Sequence, residues 1–401
     1  MLDLTQAQSH ILAAIHPLGD EVVALQDALN RIAAETISSP IDLPLFDNSA
    51  MDGYALRAED LTNASPHHPV RLRVVGQVSA GTVFTDAVTT GNCVQLFTGS
   101  PLPVGANAVV MQEETRQDSL DPKAIWVCDC PKPWDNVRLR GEDVRRGVTL
   151  LEKGCPLTVG RISLLAAAGL DLLRVGKRPV VGVLATGSEL RESGAELSPG
   201  QIYESNRVTL AALLGKTGAK PRIYPLIGDS LTDTRVALHS ALQECDVVLT
   251  SGGISVGGFD FVKSAFEQAG GTLDFWRVSI KPGKPFAFGQ FQGTYLFGLP
   301  GNPLSAFVTF LVLVRPALLR LQSATDVELS SRPGILEEPL LNEGDRTHFM
   351  RVRIDDSGLV RSAGAQASHM VGPLAKANGL VGVPKETCWE QGTTVKVLTW
   401  D

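Results

Sequence analysis

Apolar residues recur at helical spacing near the start of the chain. Ile11, Leu12 and Ile15 follow the capping-box pattern of Thr5–Gln8, which predicts a first helix. A similar spacing over residues 25–32 predicts a second, short helix. The chain therefore opens with two helical segments, separated by the breaking residues 17–20.

The pattern changes to alternation between residues 70 and 150. Val70–Val74 and Ala124–Cys128 place apolar and polar residues in turn, and turn residues recur between such runs. Alternation of this kind predicts strands with one buried face, so this stretch is expected to form a β-rich module. A helical pattern then spans Leu157–Leu170 and is expected to stop at Gly169.

Buried strands alternate with amphipathic helices beyond residue 178. The apolar runs 180–184, 222–225 and 246–250 predict strands, and the helical patterns 206–214 and 231–244 lie between them. Strand and helix in alternation are typical of βαβ units and of a mostly parallel sheet. The segment therefore predicts a central α/β domain.

The end of the chain carries two further patterns. Leu304–Leu321 is apolar nearly all round, which predicts a buried helix. Met350, Val352 and Ile354 then alternate with polar residues before a turn, which predicts a small β-barrel. The chain is thus expected to be a multidomain α/β protein, with domains at 1–45 together with 147–177, 46–146, 178–324 and 325–401.

Composition narrows the class of protein. The 401 residues are 44% hydrophobic and 20% charged, as in a soluble globular enzyme, and the net charge of −7 argues against a nucleic-acid binder. Six scattered cysteines without a Cys-x-x-Cys pair favour a reducing compartment over a zinc site. The N-terminus has no signal-peptide pattern, and the apolar run Ala306–Val314 is too short to span a bilayer. These features predict a cytoplasmic protein that binds no membrane.

A glycine-rich turn follows the strand predicted at 246–250. Residues 251–258 contain four glycines and two serines, and Asp260 stands just before the next helical pattern. Strand, glycine-rich turn and helix N-terminus together favour an anion site, because backbone N–H groups converge there. A tight connection whose glycines only permit close packing remains the alternative.

Acidic residues follow several strands of the central domain. Glu189, Asp229 and Asp260 each stand in such a loop, and the carboxyl ends of parallel strands share one crevice. One or two carboxylates, together with substrate phosphates and water, suit Mg²⁺. Each residue alone is better explained as a helix N-cap, whereas all three together favour a magnesium site.

Other loops carry charged or polar groups. Lys281 and Lys284 are held three positions apart by prolines, which favours an oxyanion-binding role over solvated surface lysines. The polar loop 46–55 favours a functional site, although Asx turns explain part of it. The arginine-rich run 136–147 is better explained as a solvated face than as a phosphate grip.

Seven motifs together carry a resemblance to one family. They are Asp-Asn-Ser-Ala-Met-Asp-Gly-Tyr-Ala (47–55), Thr-Gly-Ser-Pro-Leu-Pro-Val-Gly-Ala (98–106), Arg-Gly-Glu-Asp (140–143), Thr-Gly-Ser-Glu-Leu (186–190), Thr-Ser-Gly-Gly-Ile-Ser-Val-Gly (250–257), Lys-Pro-Gly-Lys-Pro (281–285) and Gly-Leu-Pro-Gly-Asn-Pro (298–303). The chain resembles the MoeA family of molybdopterin molybdenumtransferases, and also the C-terminal part of gephyrin, over essentially its whole length. The glycine loop alone also resembles MogA-type adenylyltransferases and CinA-like proteins.

The resemblance implies a defined reaction and assembly. Such an enzyme inserts molybdenum from molybdate into adenylylated molybdopterin and releases AMP with the help of Mg²⁺, the last common step of molybdenum cofactor biosynthesis. The central domain would be MogA-like and bind molybdopterin. The segments 1–45 and 147–177 would form a helical linker and dimerisation domain of an elongated homodimer, with the cleft between the central domain of one subunit and the N-terminal module of the other. A MogA-type adenylyltransferase and other proteins of the pathway would be partners.

The resemblance also implies roles for individual residues, matched motif by motif. Catalytic positions are Asp52, Thr98, Asp143, Glu189, Asp229, Asp260, Lys281 and Lys284. The metal ligands among them are Glu189, Asp229 and Asp260. Cofactor-binding positions are Thr186, Gly187, Ser251, Gly252, Gly253, Ser255, Gly257, Pro300, Gly301, Asn302, Pro303 and Arg351.

The chain departs from the family pattern at two places. Asn107 stands where an aspartate is common, which predicts a surface detail. Gly372-Pro373 stands where relatives often carry a serine pair, which puts any contact from those hydroxyls in doubt and makes Ser368 a candidate substitute.

Two other functions stay open at this point. The first is a non-catalytic molybdopterin-binding scaffold on the same fold, although the acidic trio and the lysine pair favour catalysis. The second is a MogA-like adenylyltransferase or CinA-like nucleotide enzyme, neither of which requires the Met51–Ala55 module.

Overall fold

The computed structural model describes residues 1–79, 81–253 and 261–400, with the side chain of Trp276 left out. The chain divides into two compact units, one made of Met1–Glu35, Lys153–Thr158 and Leu172–Asp401 and the other of Thr36–Glu152 and Val159–Asp171. Each unit is described by itself. The division into four domains stays a prediction.

The unit formed by residues 36–152 and 159–171 is built on strands, as the alternating pattern predicts. Its main sheet has six strands in the order β7-β4-β6-β5-β9-β8. In β5, Leu72 and Val78 are buried while Arg71 and Arg73 are exposed, so the alternation does separate core from solvent. The elements are β2 (Ile37–Ser38), β3 (Asn48–Ser49), β4 (Gly53–Leu56), β5 (Val70–Val78), β6 (Asn92–Leu96), β7 (Ala108–Met111), β8 (Thr115–Gln117), β9 (Ala124–Val127), β10 (Val137–Arg138), β11 (Thr149–Leu151) and α2 (Val159–Ala167).

The other unit contains a six-stranded sheet in the order β16-β13-β17-β21-β20-β18. The first four strands pair in parallel, and β20 and β18 are added antiparallel at one edge. The elements up to the end of this sheet are α1 (Leu4–Ala14), β1 (Asp20–Ala24), β12 (Leu172–Gly176), β13 (Val180–Ala185), β14 (Leu190–Arg191), β15 (Ile202–Tyr203), α3 (Asn206–Lys216), β16 (Lys220–Ile223), α4 (Leu231–Glu244), β17 (Val247–Ser251), α5 (Phe261–Gln268), β18 (Thr272–Arg277), β19 (Ile280–Lys281), β20 (Pro285–Phe291) and β21 (Thr294–Leu299).

A buried helix follows the sheet. Helix α6 (Pro303–Thr309) continues through a π-helical stretch, Phe310–Val314, into α7 (Arg315–Leu321). In the part of the chain that the structure covers, it is the one helix long and apolar enough to cross a membrane by length and composition, and 83% of its most apolar stretch is buried inside the protein. It packs in the same hydrophobic core as Phe286, Phe297 and Ile11, and it is therefore the core helix of this unit.

The last part of the unit is a closed barrel of five strands. Each of β24, β25, β22, β28 and β26 pairs with the next, and β26 pairs back to β24, which closes the ring. The short strand β19 adds to this barrel in parallel with β24, opposite Thr347 and His348. The elements are β22 (Ser331–Leu336), β23 (Leu340–Asn342), β24 (Thr347–Ile354), β25 (Leu359–Ser362), α8 (Gly372–Lys376), β26 (Gly379–Val383), β27 (Thr387–Trp389) and β28 (Thr394–Leu398).

The N-terminal prediction needs two corrections. The capping box of α1 is formed by Asp3 and Gln6, not by the residues from Thr5. The second helix predicted at 25–32 is wrong, since only one 3₁₀ turn, Leu25–Asp27, forms there. The chain just before it is strand β1, which pairs with the distant β12, and this pairing overrides the local helical spacing.

Candidate functional site

A cavity of about 740 Å³ lies at the carboxyl ends of the parallel strands. Strands β13, β17 and β21 end at Ala185, Ser251 and Leu299, and the turns that follow all reach this cavity. Such strand ends are where open α/β sheets bind ligands. The structure thus brings together these predicted residues: Thr186, Gly187, Glu189, Asp229, Ser251, Gly252, Gly253, Pro300, Gly301, Asn302 and Pro303.

The described part of the glycine-rich turn needs glycine at two positions. Gly252 and Gly253 have φ of +85° and +68°, and a Cβ on Gly252 would lie 2.8 Å from the carbonyl oxygen of Thr186. The turn therefore packs directly on the turn after β13, which a side chain would prevent. Ser255, Gly257 and Asp260 lie outside the described residues.

Asn206 ties three of these segments together. Its Nδ2 donates to Ser251 Oγ and to the carbonyl oxygen of Gly301, both at 2.7 Å. The buried carboxylate of Glu204 accepts from the backbone N–H groups of Asn206 and Arg207 and from Arg207 Nε. The carboxylate of Glu204 therefore caps α3, since Ser205, the residue just before the helix, makes no side-chain capping bond. The acidic residue two positions before the helix is a local signal for this cap alone, and the bonds of Asn206 to Ser251 and Gly301 have no such signal.

Glu189 and Asp229 both line the cavity, and neither forms an ion pair with a described residue. Asp229 Oδ2 accepts from the backbone N–H of Ser188, and Ser188 Oγ accepts from that of Asp229, each at 3.0 Å. The Glu189 carboxylate folds over Gly187, so closely that a Cβ there would lie 2.6 Å from Oε2. Carboxylates without a counter-charge, facing a cavity, fit the oxygen ligands that Mg²⁺ prefers.

Of the predicted acidic trio, the structure describes Glu189 and Asp229. Within residues 1–79, 81–253 and 261–400, no three His, Cys, Asp or Glu side chains cluster as a metal site. The third member, Asp260, belongs to the part of the chain that is not described. The fit to Mg²⁺ therefore rests on Glu189 and Asp229.

A second cavity, of about 540 Å³, contains the predicted lysine pair. Lys281 and Lys284 line it, and Arg346 and His348 enter from the barrel. The pairing of β19 with β24 places Lys281 directly opposite His348. Arg346 Nε lies 2.9 Å from Asp345 Oδ1, so its charge is partly balanced, whereas both lysines lack an ion-pair partner among the described residues. The cavity is therefore cationic.

The two cavities adjoin each other. Pro285, Ser305 and His369 line both of them. The acidic cavity and the cationic cavity thus form one continuous region at the carboxyl edge of the sheet. His369 and Ser305 were not predicted as site residues, because neither belongs to a recognised motif.

Arg351, predicted to bind the cofactor, lines neither of these cavities. Its side chain is fully buried, and its guanidinium donates to the carbonyl oxygens of Met370 at 2.7 Å, Ala365 at 2.5 Å and Ala367 at 3.2 Å. These carbonyls belong to the segment that carries Ser368 and His369. In this structure Arg351 therefore positions the loop between the cavities.

The loop with Ser368 also bears on the departure at Gly372-Pro373. Those two residues begin the short helix α8, with proline in its first turn. Ser368 Oγ lies 3.2 Å from Asn302 Nδ2, which donates to it, and Ser368 lines the second cavity. Ser368 thus contributes a hydroxyl to this cavity, and its role as a substitute for the serine pair stays a prediction.

The remaining predicted residues belong to the other compact unit. The backbone N–H and the hydroxyl of Thr98 donate to Asp52 Oδ1 at 2.7 and 2.8 Å, and they hold the pKa of that carboxyl below its ordinary value. Asp143 is exposed, and its backbone N–H donates to the carbonyl oxygen of Leu43. The two hydrogen bonds therefore join the loop of Thr98 to the ionised carboxylate of Asp52.

Two smaller expectations concern the same unit. The four arginines of the run 136–147 are all exposed, as the predicted solvated face requires. Arg140 Nε lies 2.7 Å from Asp42 Oδ2, and the N–H of Arg146 also donates to Asp42, so the run is tied to the loop that carries Asp42. Asn107 is more than a surface detail. Its Oδ1 accepts from the backbone N–H of Ala58 at the start of a 3₁₀ turn, and its Nδ2 donates to Glu59.

Comparison with known proteins adds three family matches along the chain. Residues 2–169 match the MoeA N-terminal region (domain I and II), residues 182–320 a probable molybdopterin binding domain, and residues 333–400 the MoeA C-terminal region (domain IV). A molybdopterin molybdenumtransferase of Haemophilus influenzae is 39% identical over 392 residues, covering 96% of this chain and 95% of the relative. The chain belongs to the MoeA family of molybdopterin molybdenumtransferases.

Other members of the MoeA family agree along the whole length. Molybdopterin molybdenumtransferase 2 of Mycobacterium tuberculosis is 37% identical over 399 residues, covering 98% of this chain and 97% of the relative. The crystal structure of the molybdopterin biosynthesis protein MoeA from Pyrococcus horikoshii OT3 superposes with a TM-score of 0.86 at 30% identity, covering 100% of both chains. The predicted family, fold class and transferase class are confirmed.

Proposed function

We propose that this MoeA-family chain inserts molybdenum from molybdate into adenylylated molybdopterin and releases AMP, with Mg²⁺ as cofactor. The observation that carries the proposal is the pair of adjoining cavities, one lined by glycine-rich turns and two carboxylates and the other by two lysines. None of these four charged groups has an ion-pair partner among the described residues. A reaction that joins a phosphoanhydride substrate to an oxyanion needs both kinds of binding surface side by side.

The first cavity is proposed to bind the adenylylated pterin. The turns Thr186–Gly187 and Ser251–Gly253 line this cavity, and their glycines allow the phosphates to approach the backbone closely. Pro300–Pro303 forms another, stiffer part of the wall. Ser255 and Gly257 stay proposed cofactor-binding residues, on the family motif alone. Asn206 keeps these turns in register, since it bonds Ser251 and Gly301 at once.

Glu189 and Asp229, with Asp260 as the third proposed ligand, would hold Mg²⁺. When bound, the ion supplies positive charge that offsets the charge of the phosphoanhydride and its leaving group. Asp229 is held in place by its reciprocal hydrogen bonds with Ser188, so its second carboxylate oxygen is free to act as a ligand.

The second cavity is proposed to bind molybdate. The ammonium groups of Lys281 and Lys284 attract the dianion and hold it beside the first cavity, since Ser305 and His369 border both spaces. Arg351 contributes by fixing the loop of Ser368 and His369, rather than by contacting the substrate.

The assembly is also proposed from the family. A homodimer would allow the loops of Asp52, Thr98 and Asp143 to come from a different protomer than the two cavities. A MogA-type adenylyltransferase is the proposed supplier of the adenylylated substrate, and the cytoplasm is the proposed location.

The test is a turnover assay with purified protein, adenylylated molybdopterin, molybdate and Mg²⁺. AMP release that depends on both molybdate and Mg²⁺, and that falls strongly in Asp229→Asn, supports the transferase. Tight binding of the adenylylated pterin without AMP release would instead identify a scaffold on the same fold.

A further inference from the structure

The second cavity contains a side chain that none of the recognised motifs includes, the imidazole of His348. It stands on β24 opposite Lys281 of β19, and only 5% of the residue is exposed although it lines the cavity. Neither ring nitrogen has a hydrogen-bond partner among the described residues, and Nε2 is fully buried. Buried polar atoms are nearly always paired, so this one indicates a missing partner.

No described side chain supplies that partner in this structure. Gln366, which lines the same cavity, already accepts from the backbone N–H of Arg351 and donates to its carbonyl oxygen, to Ser362 and to Gly364. Ser368 Oγ accepts from Asn302. The cavity therefore leaves the imidazole to its occupant.

The charges around His348 determine which kind of ligand the cavity favours. Lys281 faces His348 from β19, Arg351 from β24 itself, and Arg346 and Lys284 line the same cavity. Glu338 and Glu343 lie on its other side, where they line a neighbouring space of about 380 Å³ together with His348. The lysine and arginine charges disfavour a metal cation at the imidazole, and no cluster of three metal-ligating side chains exists in the described ranges.

The imidazole is neutral near physiological pH. Burial, together with the charges of Lys281 and Arg351, lowers the pKa of His348 to about 4. A neutral imidazole offers one N–H donor, and a half-turn of the ring about its Cβ–Cγ bond exchanges nitrogen and carbon positions, so either edge can present that donor. An anion that only accepts hydrogen bonds is the matching partner.

We propose that His348 donates a hydrogen bond to the tetrahedral oxyanion substrate in the second cavity, next to the ammonium group of Lys281. The inference rests on the proposed function, because it takes molybdate as the occupant. It makes His348 a substrate-binding residue whose role is orientation, since the lysines supply the charge.

The test is equilibrium binding of molybdate to the full chain, measured by calorimetry at pH 7. His348→Leu removes the donor, and His348→Gln retains an N–H of similar reach. The matched control is His239→Leu, since His239 is exposed on α4 and lines neither cavity. Losing a hydrogen bond to a charged group should weaken molybdate binding about 10- to 100-fold in His348→Leu. In His348→Gln the loss of affinity should stay within about 5-fold, because a donor is retained. In His239→Leu we expect no loss of affinity.

The outcomes separate the two levels of the proposal. A wild-type chain that binds no molybdate overturns the placement of the oxyanion in the proposed function, and this inference with it. Unchanged affinity in His348→Leu overturns the role of His348 alone. If that variant does not fold, ¹⁵N-histidine spectra of the wild-type chain decide: a molybdate-dependent shift of the His348 signal, assigned with His348→Gln, supports the hydrogen bond, and an unmoved signal overturns it.

Discussion

Replacing Arg351 by methionine tests whether this arginine acts through the loop that it holds. Its guanidinium donates to the carbonyl oxygens of Ala365, Ala367 and Met370, and no described carboxylate pairs with it. Hydrogen bonds from a charged donor contribute about 1.5–3 kcal/mol each, and the two shorter bonds thus contribute about 3–6 kcal/mol. Arg351 Nε is buried and has no hydrogen-bond partner among the described residues, so removing this buried charge returns about 2 kcal/mol of the lost stability. The expected net loss of stability is about 1–4 kcal/mol.

The assay is urea unfolding followed by tryptophan fluorescence, because Trp389 packs against the barrel core. Arg353→Met is the matched control, since Arg353 lies two positions along the same strand and is exposed. We expect that control to change stability by less than ~0.5 kcal/mol. In Arg351→Met we also expect faster proteolysis between residues 365 and 370. Wild-type stability and wild-type proteolysis in Arg351→Met would refute the anchoring role.

Three further predictions concern His348, Asn206 and Gly252. The pKa of His348 is about 4 in the folded chain and 6.5 when unperturbed, so the unfolded chain binds the proton first as the pH falls. The wild-type chain should therefore lose ~2 kcal/mol of stability between pH 7 and pH 5 relative to His348→Leu, measured by urea unfolding at each pH. An equal pH dependence of the two chains would contradict this prediction. Asn206→Ala removes two bonds of 2.7 Å and should cost ~2 kcal/mol of stability and lower AMP release, unlike Asn378→Ala in the barrel, which should affect stability alone. In Gly252→Ala the new Cβ would lie 2.8 Å from the carbonyl oxygen of Thr186, at a residue whose φ is +85°. This substitution should abolish binding of the adenylylated pterin, measured by direct titration. Retained affinity would show that the turn does not touch that substrate.

Local sequence signals predict the elements that are long and regular. Helix α4 spans Leu231–Glu244 as predicted, because its apolar spacing is continuous and Ser230 caps it by accepting from the N–H of Asp233. Strands β13 and β17 and the barrel strand β24 also follow from their apolar runs. Strand β16 lies at Lys220–Ile223, two residues before the predicted 222–225, and is exposed, because it is the edge strand of the sheet. The short segment after β1 defeats such reasoning, because a strand pairing across the sequence determines its shape.

The site divides in the same way. The turns after β13, β17 and β21 could be predicted, since glycine and proline at a strand end have a local physical meaning. The network of Asn206 could not, because it bonds Gly301, which lies 95 residues away. His348 and Arg351 carry no local signal of burial either, since the alternation of β24 places them on faces whose surroundings come from other segments.

The pairing of β19 with β24 has a consequence for the order of events during protein synthesis. Lys281 and Lys284 are made well before the strand that holds β19 in place, and the barrel containing that strand closes only through β28, at Thr394–Leu398. A ribosome-bound chain that has exposed only the central sheet therefore has its glycine-rich turns but lacks a finished cationic cavity. A chain that ends before β28 is therefore expected to lack the closed barrel that completes this cavity.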